Sequence, residues 1–96
     1  MNSVICDAIS ERRLPELRYH GCTRIVEPHL YGTDHDGDEA LRCFQIYGGS
    51  ESGERIGWKL LRIREIFGLR MLETTFSVRP DYLRGDKVVK HVMCRL

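Results

Sequence analysis

The stretch Thr23-Arg24-Ile25-Val26-Glu27-Pro28-His29-Leu30-Tyr31 reads as a strand, and the fold turns on it. It is rich in β-forming residues and contains no helical stripe. At a period of two, Arg24, Val26, Pro28 and Leu30 fall on one face, and Thr23, Ile25, Glu27, His29 and Tyr31 fall on the other. Pro28 cannot donate to a ladder, so it marks an edge position, a bulge or a strand end.

On the N-terminal side, Ile5, Ala8 and Ile9 recur at helical spacing, with Ser3 as the candidate N-cap. The spacing predicts a helix over residues 3–13, ended by Pro15. Leu17 to His20 then alternates as a first strand, and Gly21 supplies the turn. On the C-terminal side, Thr33–Asp38 is a polar turn with Asp-Gly at its tip. Its acids crowd together, and its glycine falls in the wrong place for an EF-hand loop. Further strands follow at Glu39–Tyr47, Trp58–Ile63 and Phe67–Glu73. Between the first two lies Gly48-Gly49-Ser50-Glu51-Ser52-Gly53-Glu54, a mobile loop that lacks the Gly-Lys-Ser/Thr ending of a phosphate-binding loop. In the tail, Asp86 is positioned to cap a short helix with Val88, Val89, Val92 and Met93 as its stripe.

The 96 residues form one domain: a helix at 3–13, strands over about 16–75, and a tail at 76–96 that covers them. The linkers are too short for parallel crossovers, so the strands are antiparallel. The fold class is mainly β with flanking α, a strongly bent sheet or partly open five-stranded barrel with an N-terminal helix and a short C-terminal helix.

Net charge is only +1, but residues 1–48 carry −3 and residues 49–96 carry +4. Arg55, Lys59, Arg62, Arg64 and Arg70 concentrate the positive charge, which suits phosphate or a solvated face. Cys6, Cys22, Cys43 and Cys94 contain no Cys-x-x-Cys, so neither a zinc knuckle nor a redox pair is expected. The opening Met1–Asp7 has no basic stretch before an apolar core. A secretory leader is therefore not expected, the thiols are expected to be reduced, and the location is expected to be cytoplasmic. Cys6 and Cys43 sit in apolar contexts and read as small core residues. No apolar run is long enough for a membrane helix, so no membrane partner is expected.

No nucleophile elbow, His-Glu-x-x-His or paired carboxylate in an apolar context is present. The chain is expected not to be an enzyme, with no catalytic residues, no metal and no cofactor. Binding has more behind it. Ala40, Arg42, Phe44 and Ile46 share one face of their strand, as do Trp58, Leu60 and Arg62 on theirs. Arginine is seldom buried without a partner, so Arg24, Arg42 and Arg62 are the candidate ligand contacts. Tyr19 and Tyr31, each an apolar ring with a polar tip, suit a pocket rim. Phe44, Trp58 and Phe67 are needed for the core.

The order of these residues resembles the WYL domain, a bacterial module with an Sm-like, SH3-type barrel. The resemblance runs from about Val4 to Phe76. It rests on the opening helix, on Leu17-Arg18-Tyr19, on Arg24-Ile25-Val26-Glu27-Pro28 and on Trp58-Lys59-Leu60-Leu61-Arg62-Ile63, with Phe76 closing it. The family's name-giving Trp-Tyr-Leu falls at Glu39-Ala40-Leu41, where the leucine alone is kept. The resemblance implies a role in sensing nucleotide-like or nucleic-acid ligands and in regulating transcription. It puts ligand contacts at Tyr19, Arg24 and Arg62; Arg42 is added from strand geometry. The expected partner is a nucleotide or single-stranded nucleic acid. The alternative is a protein–protein module, pairing a sheet edge with a regulatory protein or a second copy of the chain.

Overall fold

A computed structural model describes residues 2–96. Helix α1 spans Asn2–Glu11, and strands β1 (Arg13–Tyr19), β2 (Cys22–Thr33), β3 (Glu39–Gly48) and β4 (Gly57–Arg62) follow. A 3-10 turn at Ile63–Glu65 leads into β5 (Ile66–Thr75), and β6 (His91–Arg95) ends the chain. The strands form one antiparallel sheet in the order β4-β3-β2-β1-β5, with β6 added to the far half of β2. Among the described residues no ladder joins β4 to β5, so the sheet is open. No helix there is long and apolar enough to cross a membrane.

A ten-residue helix is marginal by itself in water, so α1 depends on what it buries. Ile5, Ala8 and Ile9, the stripe expected from the sequence, are all buried. Ile5 and Ile9 pack with Leu17, Val26, Leu41 and Leu61 on one face of the sheet. The helix starts one residue early, so Ser3 stands inside its first turn rather than capping it. It ends at Glu11, where Arg12 turns into the left-handed region at φ 52°. Pro15 is therefore not the terminator: it lies within β1, at a register shift against β5. The β1–β2 turn places both His20 (φ 49°) and Gly21 (φ 76°) in the left-handed region, as a two-residue hairpin turn requires.

Pro28 sits where β2 changes partners. β1 pairs with β2 only as far as Ile25, and β6 begins at Leu30. The missing N–H thus falls in the one gap along that edge. Register shifts against β3 occur at Ile25/Val26 and Pro28/Leu30. These break the strict alternation expected of β2. Val26 and Tyr31 join the core under α1, and Leu30 joins a second cluster with Ala40 and Val89.

The second cluster lies under the tail, and the expected tail helix does not form. Asp86 does accept the amides of Val88 and Val89. The chain then runs as β6 along β2 instead of coiling. Val92 favours extended backbone, and β2 beyond Leu30 offers ladder groups that β1 leaves unpaired. Close approach is possible because Gly32 has no side chain: a Cβ there would lie 2.2 Å from the His91 carbonyl oxygen.

Cys6 and Cys94 form a disulfide that ties α1 to β6, so reduced thiols hold only for Cys22 and Cys43. Cys6 is half-buried and not a plain core residue, whereas Cys43 is fully buried as expected. The bond closes nearly the whole chain into a loop. Reduction should lower stability by ~2–4 kcal/mol, read as a drop in the urea midpoint with and without a reductant. An unchanged midpoint would show that the pair does not constrain the chain.

Candidate functional site

Two covered faces of the sheet divide the expected ligand residues between them. Across β3 and β4, Ala40 pairs with Arg62, Arg42 with Leu60 and Phe44 with Trp58, so these share one face as the alternation implied. The tail covers that face. Arg42 donates to both oxygens of Asp86, at 2.7 and 3.3 Å. Burial pushes the Asp86 carboxyl up, but Arg42 and the two valine amides outweigh it and hold it at about 2. Arg62 donates to Asp34 at 2.9 Å. The same carboxylate accepts the amides of Asp36 and Asp38, which makes Thr33–Asp38 the polar turn expected. Burial acts against the Asp34 anion, yet these amides and Arg62 prevail and lower its pKa. Both arginines are thus committed to aspartates of this chain.

Tyr31 is fully buried, and its hydroxyl donates to the Glu39 carboxylate. Burial first, and then Glu39, hold the phenol above its ordinary range. Tyr31 is core rather than rim. Tyr19 is also buried, and its hydroxyl accepts the Arg62 amide at 3.1 Å.

Arg24 is different. It lies on the α1 face, where it pairs across the ladder with Leu17 and stands over the Tyr19 ring at 5.1 Å. It is only 3% exposed. Its single side-chain hydrogen bond runs from Nη1 to the neutral Gln45 amide oxygen at 3.4 Å, and its Nε has no partner. None of the ion pairs among the described residues includes it. The structure therefore brings Tyr19 and Arg24 together, places Arg42 and Arg62 on the opposite face, and puts Tyr31 at the far end of β2.

Two residues on the Arg24 face were not among the expected ligand contacts, although Lys59 belongs to the basic run of the sequence. Gln45 is fully buried and donates to the Gly49 carbonyl at 2.9 Å. Lys59 is the ladder partner of Cys43 on the same face, and it too has no carboxylate partner among those ion pairs. The signal was present: Leu41-x-Cys43-x-Gln45 and Lys59-x-Leu61 are apolar stripes that each end in a polar group. Burial pushes the Cys43 thiol up to about 12, against the pull of Arg42, Arg24 and Lys59. It stays protonated at neutral pH and is no nucleophile. Gly48 is required at this end. It faces Arg24 across the ladder with φ 114°, and a Cβ would meet the Thr23 carbonyl oxygen at 2.2 Å.

The tail face carries its own polar network. Arg79 clamps Glu27 through two hydrogen bonds and lies 3.8 Å over the Phe44 ring. His29 is fully buried between them: Nδ1 pairs with the Glu27 carbonyl at 2.8 Å, and Nε2 accepts the Arg79 amide at 3.1 Å. That pattern fits one neutral tautomer, with the proton on Nδ1. Tyr82 donates to the His29 carbonyl, and Trp58 donates to Asp81. Beside them a cleft of about 420 Å³ is lined by Arg42, Trp58, Tyr82, Asp86 and Lys87 among others, with Arg42 already paired to Asp86.

No family model matches the chain, and neither a curated protein nor a solved structure matches it.

Burial holds the His29 pKa below its ordinary 6.5; Arg79 acts the same way, and Glu27 and Asp81 pull against them without prevailing. The unfolded chain takes up a proton that the folded ring refuses, so stability is complete above pH 6.5 and falls below it. The urea midpoint should drop as the pH falls below 6.5, and His29→Gln should flatten that slope. An equal slope in the variant would assign the dependence to other groups.

Proposed function

We propose that this chain is a WYL-like ligand-binding and regulatory module that takes a nucleotide-like or nucleic-acid anion, with Arg24 as its principal contact. The observation that supports it is a buried charge with no counter-charge. A guanidinium stays ionised at any accessible pH. Burying such a charge without a carboxylate costs several kcal/mol. A phosphate oxygen at the free Nε would balance that charge through a short, charge-assisted bond. Tyr19, stacked under the guanidinium, orients it. Arg42 and Arg62 serve as clamps to the tail and to the β2–β3 turn, and not as ligand contacts. On this reading the open sheet corresponds to an Sm-like five-stranded barrel, with Ile63–Glu65 bridging its edges.

Titration of nucleotides and labelled single strands at two salt concentrations tests the proposal. Affinity should fall with salt. Arg24→Gln should weaken binding at least tenfold, while Arg70→Ala, which removes an exposed pair with Glu16, leaves it unchanged. If no anion binds at either salt concentration, the reading is wrong.

A second reading, assembly through a sheet edge, has one observation behind it. Phe67, expected in the core, instead stands 67% exposed on β5, whose outer edge is unpaired among the described residues. Light scattering over a wide concentration range should then reveal an oligomer that Phe67→Lys dissolves. A monomer throughout rules out self-assembly.

A further inference from the structure

The β3–β4 loop is strapped across the end of the sheet where Arg24 lies. Gln45 holds its first residue through the Gly49 carbonyl. Lys59 Nζ holds its middle, donating to Ser50 Oγ at 3.2 Å and to the Glu54 carbonyl at 2.5 Å. Both acceptors are neutral. The two loop carboxylates do not serve Lys59: Glu51 engages His20, and Glu54 offers its backbone oxygen. Arg24 and Lys59 share the Cys43 face and are tied to successive loop residues, Arg24 through Gln45 to Gly49 and Lys59 directly to Ser50, so two cations without a carboxylate partner stand beneath one loop.

Resting on the anion-binding reading above, we infer that this site takes a terminal phosphate monoester, held between Arg24 and Lys59 with the Gly49–Ile56 loop as its cover. A monoester carries close to two negative charges at neutral pH, matching two cations, whereas an internal phosphodiester carries one. An end group can enter a site closed by a loop anchored on both sides. A continuous backbone has to thread under it. The loop can release Lys59 at little cost, because its hydroxyls bond chiefly to one another and to its own backbone. Ser50, freed from Lys59, remains beside the incoming group. The cleft on the tail face suits a dianion less well: Arg42 there is already paired with Asp86, and its other cation, Lys87, shares the lining with Asp81 and Asp86.

The test compares one short single strand with and without a 5′-phosphate, AMP with adenosine, and inorganic phosphate, all by calorimetry on the intact chain. The phosphorylated member of each pair should bind at least tenfold more tightly, and inorganic phosphate should compete with it. The AMP and strand arms separate a free nucleotide from a strand end as the source of the group. Lys59→Met should erase the preference, and Lys59→Arg should restore most of it. Trypsin cleavage after the exposed Arg55 in the loop should slow several-fold when a phosphorylated ligand is bound. Equal affinity for the phosphorylated and unphosphorylated strands overturns the monoester site and leaves the broader anion reading standing. Binding by none of the probes overturns both. Should Lys59→Met fail to fold, the paired-ligand comparison on the unaltered chain decides alone.

Discussion

Strand β2 is the member that everything else is built against. Antiparallel strands commonly bury one face and wet the other. β2 is buried on both, by α1 on one side and the tail on the other. It also carries three ladder partners, with β3 along one edge and β1 and β6 sharing the second. Sharing an edge requires a break between the two, and Pro28 occupies that break. A residue that cannot donate stands where no acceptor awaits it. The neighbouring register shifts turn the strand, so residues on either side of Pro28 reach different cores.

Burying both faces of one strand also buries its polar residues, and their treatment differs. Glu27 meets Arg79, and His29 finds a donor and an acceptor from backbone. These bonds dock the tail, so the charges are balanced by the same contacts that close the second core. Arg24, three residues earlier, has no carboxylate and one long bond to an amide. Buried polar groups in folded proteins are nearly always satisfied, and Arg24 Nε is the exception among the described residues. The contrast along one strand sets Arg24 apart from the other arginines of the molecule.

The ends of the chain are held by the same economy. β6 satisfies the part of β2 that β1 does not reach, and the Cys6–Cys94 bond fastens it to the helix. The tail between β5 and β6 has little regular structure of its own. It is fixed by side chains: Arg79 on Glu27, Tyr82 on the His29 carbonyl, Asp86 on Arg42. Such a segment is ordered by its neighbours and by few local bonds, which is why its local pattern is a poor guide to its form.

By itself the sequence determined what local pattern determines: the helix carrying Ile5, Ala8 and Ile9, the meander of strands through Glu73, the polar turn at Asp34, and the shared face of Arg42 and Arg62. Periodicity and turn chemistry act over a few residues, and these features need no more. It did not determine the tail. Val88 to Met93 suits a helix and a strand alike, and only the vacant edge of β2 decided between them. It did not pair Cys6 with Cys94, since four scattered cysteines carry no partner information. Nor did it sort the arginines. Arg24, Arg42 and Arg62 look alike in a strand pattern. Their partners, Gln45, Asp86 and Asp34, come from different distances along the chain, and only the packed sheet decided which charges are met and which is left open.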